Sequence, residues 1–192
     1  AQRTFDAMEK KARLGYVTGG RVFGYDNKDQ IAHAPDGTPY KSHTDRVINQ
    51  PEAEVVREIY RLYSKEYGLK MIAKELNAKD ALCPRPQKGH PRGWSPSSVR
   101  SVLLRPLYKG KVVYNKTKKR NKRGQVAVSN KAEKDWITVP RPDLRIVSEE
   151  LATAVERRFN NRKDRTLRNK DGRLMGRPPL MTTKHLLAGL LS

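Results

Sequence analysis

Residues 69–105, LKMIAKELNAKDALCPRPQKGHPRGWSPSSVRSVLLR, hold two short amphipathic segments separated by a basic stretch rich in proline and glycine. In the first, Leu69, Ile72, Ala73 and Leu76 recur at helical spacing, which predicts a helix over 69–78 with one apolar face. In the second, Ser95 stands in the capping position and Pro96 at the first helical position, predicting a helix over 95–105 that Pro106 halts. Val99, Val102 and Leu103 form its inner face, which leaves Ser97, Ser98, Arg100 and Ser101 outside. Such a pair is the plan of a helix-turn-helix, whose first helix braces the DNA backbone while the second lies in the major groove. There, short hydroxyls reach phosphates and a guanidinium bonds a guanine edge through two hydrogen bonds. Two core helices with a solvated outer face fit the same residues, and the connection over 79–94 exceeds the usual turn of about 3–4 residues.

Upstream, Asn49 and Glu52 have capping-box spacing with Pro51 in the first turn. The helix they open carries Ala53, Val56, Ile59, Tyr60 and Tyr63 on one stripe and ends at Gly68. Residues 4–14 read as a further helix, with Phe5, Met8, Ala12 and Leu14 on one side. A glycine-rich arm over 15–25 follows it, then a polar stretch over 26–45 with Asp36-Gly37 as a turn signal. Downstream, residues 108–115 and 136–140 read as strands, with a weaker one over 125–128. Ser148 caps a last helix, whose acids Glu149 and Glu150 precede the cations Arg157 and Arg158 in the order that suits the helix dipole. Leu151, Val155 and Phe159 form its stripe, and the polar, basic residues 160–181 read as a linker.

The charge balance names a class of partner. Lysine and arginine total 41 against 20 acids, a formal charge of +21, and such an excess attracts a dense polyanion. Between Arg105 and Lys134 there are eleven basic residues and one acid, Glu133. The densest run, Lys116, Lys118, Lys119, Arg120, Lys122 and Arg123, lies between two strand candidates as a loop suited to phosphate contact. Gly19-Gly20-Arg21 offers a flexible backbone with one guanidinium, suited to a minor groove, although an ordinary connector fits it too. Arg85, Lys88 and Arg92 in the long connection, Arg105 at the helix end and Arg13 near the end of the first helix complete the candidate DNA contacts.

Other chemistries lack their residues. Cys83 is the one cysteine, which excludes a disulfide framework or a cysteine cluster for zinc and suits a reducing, cytoplasmic setting. The four histidines are scattered without metal-ligand spacing. His43-Thr44-Asp45-Arg46 has the His-x-x-Arg form of tyrosine recombinases, but no arginine box or terminal tyrosine segment accompanies it. No catalytic constellation is present, and no apolar run approaches the roughly 20 residues of a membrane span.

Four stretches then occur in the order of one known family: NQPEAEVVREIYRLY (49–63), IAKELN (72–77), WSPSSV (94–99) and LLRPLYKG (103–110). Together they resemble the recombinase domain of the large serine recombinases, which include phage integrases and the recombinases of other mobile elements. The opening helix resembles the linker helix of that family, and Trp136 with Leu144-Arg145-Ile146-Val147-Ser148 resembles its closing segment. The resemblance implies sequence-specific binding of double-stranded DNA at a recombination attachment half-site, in DNA integration or excision. It also implies that the serine nucleophile and a zinc-ribbon domain lie outside these residues, with no cofactor held here. The implied parent protein is bacterial or phage-encoded, a dimer on DNA and a tetramer in the synaptic complex. The loop 84–92 is longer than the family's common form.

The expected fold is α+β and mainly helical, a small helical bundle with a helix-turn-helix-like pair plus a short antiparallel β-sheet. Residues 1–15 are expected to end a linker helix, 16–163 to form the DNA-binding domain, and 164–192 to lead as a basic linker toward a zinc ribbon. Both ends look cut from something longer. An RNA-binding or ribosome-associated protein, or a free-standing helix-turn-helix regulator, would share the basicity. RNA readers expose stacking aromatics on a sheet, whereas Tyr60, Tyr63 and Phe159 fall on apolar stripes.

Overall fold

The computed structural model describes residues 2–85, 92–120 and 124–164. Two compact units divide at Val155 and Glu156. The elements below belong to the first, and of the second only the continuation of the last helix is described. The fold is α+β, with short antiparallel sheets around a helical core.

That core is the bundle of α2 (Gln50–Ser64), α3 (Leu69–Ala78) and α4 (Pro96–Leu103). Ala53, Val56, Ile59, Tyr60 and Tyr63 from α2 meet Ile72, Ala73 and Leu76 from α3 and Val99, Val102 and Leu103 from α4, all of them buried. These are the apolar stripes that the helical period marks, and burying them is the main force holding the three helices together. Ser95 caps α4 by accepting the Ser98 N–H (3.1 Å), and Asn49 caps α2 by accepting the Glu52 N–H (3.2 Å).

The capping box at α2 is only half formed. The Asn49 N–H is already given to the Gly24 carbonyl (3.0 Å), so the Glu52 carboxylate turns away to accept from the Gly24 N–H (2.7 Å) and from Arg21 (2.6 Å).

The polar stretch after the arm is a β-hairpin, where the sequence suggested only a turn. β1 (Tyr25–His33) pairs antiparallel with β2 (Pro39–Ile48), from Tyr25 opposite Ile48 to His33 opposite Pro39, with a bulge between Gln30 and Ile31. Asp36-Gly37 is the turn, with the Thr38 N–H donating to Asp36 Oδ1 (2.9 Å). Most side chains on both faces of β1 are solvated, so the alternation that reveals a half-buried strand is missing. Tyr25 fixes the hairpin instead: fully buried, it donates to the carbonyls of Leu144 (2.6 Å) and Leu107 (3.2 Å).

The strand expected over 108–115 is shorter. Pro106–Lys109 is a 3₁₀ turn, and Gly110 follows it in the left-handed region (φ 75°), where a Cβ would come within 3.1 Å of the Arg141 carbonyl. Only then does β3 (Lys111–Tyr114) begin, pairing antiparallel with β6 (Ile137–Pro140). β4 (Thr117–Arg120) pairs with β5 (Val126–Asn130) in a separate hairpin, so the basic run expected as a loop begins on a strand. Where one short sheet was expected, the described residues form three two-stranded ones.

α1 (Gln2–Arg13) docks through its last turn alone. Ala12 is buried, while Phe5 is exposed. Arg141, paired in a fork with Asp143, donates from Nη1 to the Gly15 carbonyl (3.1 Å) and holds that turn near β6. Higher on the expected stripe, Met8 is half-buried and the Lys131 ammonium stands 5.9 Å from the Phe5 ring centre. α5 (Glu149–Asp164) begins beyond Ser148, with Ala152 and Val155 buried and Leu151 half-buried.

Candidate nucleic-acid interface

α4 owes its placement to the base of the loop that precedes it. The Asn77 side chain, at the end of α3, donates to the Trp94 carbonyl (2.9 Å) and accepts the Trp94 N–H (2.7 Å). Trp94 is buried, gives its indole N–H to the Leu82 carbonyl (3.0 Å) and meets Phe23 edge-on at 5.4 Å. The long connection is thus closed at its base, and α3 and α4 pack as though a short turn joined them. Gly93 makes the closure possible: its φ is 142°, and a Cβ there would stand 3.1 Å from Asn77 Oδ1. Gly93→Ala should therefore cost about 1–3 kcal/mol of stability through backbone strain and displacement of Asn77. Thermal unfolding should show a lowered midpoint; an unchanged one would mean that the closure bears no strain.

With its inner face buried, α4 presents Ser97, Arg100 and Ser101 to solvent. Ser97 and Ser98 are partly engaged at home, their hydroxyls lying 2.8 and 2.9 Å from the capping Ser95 Oγ. Two clefts flank this face. One, of about 420 Å³, is lined by Arg46, Arg100, Ser101, Arg105, Lys111 and Lys116 among others, with no acidic side chain in its wall. The other, of about 820 Å³, is lined by Arg21, Arg85, Arg92, Ser97, Ser98 and Arg105 among others, again without an acid. Val22, Ser101 and Arg105 belong to both.

The charges in the first cleft feel one another. Burial pushes the Arg46 guanidinium below its ordinary pKa, with Arg105 and Arg141 adding like-charge repulsion against an opposing effect of Tyr25. Burial and then Arg105 likewise lower Lys116, against the pull of Glu133, while its ammonium rests 4.9 Å from the Trp136 ring centre.

The structure brings Ser97, Arg100, Ser101, Arg105, Lys116, Arg85 and Arg92 to these two clefts. Arg21 lines the second cleft but is spent on the arm, paired with Glu52 (2.6 Å) and Asp26 (3.0 Å), which draw its charge inward. The arm itself is tied down by the Val17 N–H to the Thr44 carbonyl (3.0 Å) and by Tyr16 stacked on His43 at 3.8 Å. Gly19 and Gly20 remain in open space. Arg13 stands apart from the clefts, paired with Glu9 (2.7 Å). Lys118 is exposed on β4. Lys88, Lys122 and Arg123, and the side chains of Lys119 and Arg120, lie outside the described residues. Arg46 and Lys111 are the members that sequence reasoning missed.

Among the described residues no group of three His, Cys, Asp or Glu side chains stands ready to hold a metal, and no helix is long and apolar enough to cross a membrane.

Residues 50–162 match the family model Recombinase. Among solved structures, the chain is similar to a crystal structure of an LSR–DNA complex (LSR, large serine recombinase), with a TM-score of 0.52 and 20% identity over 86% of this chain. It spans 39% of that chain's length. At that identity the likeness is one of fold. No curated protein matches the chain.

Proposed function

The chain belongs to the Recombinase family of serine recombinases, and from that premise we propose that it recognises duplex DNA at a recombination half-site. In this reading α4 enters the major groove, Arg100 bonds a base edge, and Ser97 and Ser101 position the helix on phosphates. The observation that carries it is the outward face of α4, set between two cation-lined clefts without acids. Strand cleavage, zinc binding and the dimer and tetramer of recombination belong, in the same reading, to the parent protein. Burial of Tyr25, Tyr60, Tyr63, Tyr108 and Trp94 leaves those rings unable to stack on bases, whereas Tyr40 on β2 is exposed, so competition by RNA decides between the two nucleic acids.

Selection by the 192-residue chain from a random duplex pool, with structured RNA as competitor, tests this reading. A defined motif should emerge and RNA should compete poorly. Enrichment of no motif, or displacement by RNA, would count against it. On the selected duplex, Arg100→Ala should cost about 1–3 kcal/mol and relax preference at one or two positions. Lys118→Ala should weaken selected and random duplexes about equally.

A further inference from the structure

Arg46 needs an explanation that base reading by α4 does not supply. It comes from β2, a different element, and is half-buried in the wall of the cleft beside α4. Its Nε is buried without a hydrogen-bond partner, and among the described residues no carboxylate pairs with it. Arg100, Arg105, Lys111 and Lys116 share the cleft, and none of them has an ion-pair partner among the described residues. A partly buried charge usually has a counter-charge, because desolvating it alone is costly. Here several like charges converge with no carboxylate in the cleft wall.

We propose that the cleft walled by Arg46, Arg105, Lys111 and Lys116 seats a backbone phosphate of the DNA whose groove α4 reads. The inference rests on the duplex-binding reading above and adds to it a built anion seat and two residues, Arg46 and Lys111. Arginine suits such a seat because its planar fork holds two phosphate oxygens at once, while lysines act as point charges around it. Continuity argues for a chain of phosphates over a free ion. The cleft shares Val22, Ser101 and Arg105 with its larger neighbour, so a polyanion leaving one enters the other.

The test measures duplex affinity of the 192-residue chain against salt for the native protein, R46Q, R46K and K111Q, with K65Q on the exposed end of α2 as control. R46Q and K111Q should each lower the log–log salt slope by about one unit, the loss of one phosphate contact. R46K should retain most of the slope, and K65Q all of it. Lys111 is exposed, so K111Q decides the matter if R46Q proves unfolded by thermal melting. Native slopes in folded R46Q and K111Q would overturn the proposal, as would an equal loss in K65Q, which would mean a diffuse field in place of a seat. Inorganic phosphate at matched ionic strength should displace DNA no better than chloride; stronger displacement, abolished in R46Q, would assign the seat to a free ion instead. Failure of the native protein to bind duplex at all would instead strike at the reading on which the inference rests.

Discussion

Tyr25→Ala is expected to cost about 3–5 kcal/mol of stability, the range for removing a large buried aromatic. A typical domain has only about 5–15 kcal/mol to lose, so this one substitution takes a large share of the stability. The ring is fully buried and stacks on Tyr108 at 5.9 Å, and its hydroxyl donates to two carbonyls more than 80 residues further along the chain. Tyr108 returns the tie by donating to the Phe23 carbonyl (2.8 Å). Removing Tyr25 therefore opens a cavity and takes its hydroxyl from the Leu144 carbonyl, while the Leu107 carbonyl keeps the Gly110 N–H (2.9 Å). Tyr25→Phe, which keeps the ring, should cost about 0.5–3 kcal/mol. Denaturant midpoints for the two variants measure both effects, and equal midpoints would contradict the keystone role. Alkali should act on the same pair. Burial raises both phenols, Tyr108 to about 12 and Tyr25 further. Their stabilisation should therefore be complete below the ordinary tyrosine pKa of about 10 and be lost as pH rises through the folded values.

The largest change in binding is expected from salt. If about six to ten phosphates are engaged, affinity for duplex should fall by roughly 10³–10⁵ between about 50 and 200 mM salt. The surface around α4 makes such a count reasonable, since two acid-free clefts and the exposed Lys118 add to a chain of net charge +21. Titration by fluorescence anisotropy over that range would measure it. A flat response would mean that binding, if present, is apolar and that the clefts face no phosphate.

The helical core was legible because its signals are local. Ala53 to Tyr63, Ile72 to Leu76 and Val99 to Leu103 repeat at the helical period, and Asn49 and Ser95 cap where capping residues belong. The hairpin of β1 and β2 was not legible, because Ile31, Tyr40 and Val47 are exposed and its register depends on Tyr25, whose partners are far along the chain. The candidate interface divides in the same way. Arg100 and Ser101 follow from the face of one helix, and Lys116 from a charge run. Arg46 carries no such mark, since its place beside Arg105 and Lys111 exists only once β2, α4 and β3 have packed. Arg21 was legible as a cation, but its two carboxylate partners, Asp26 and Glu52, were not.

The paired hydrogen bonds between Asn77 and Trp94 carry a consequence for how such a domain diversifies. Because the connection is clamped where it leaves α3 and where it meets α4, the register of the two helices is independent of how many residues are strung between Cys83 and Arg92. Insertions and deletions there should leave the pairing of α3 and α4 intact, as an exchangeable cassette beside α4. Relatives can thus differ in this loop while sharing the helix pair. An Asn at the end of the first helix and a Gly-Trp step before the second would be the hinge-pins of that exchange. Swapping loops of different lengths between those pins should transplant contacts without re-engineering the fold.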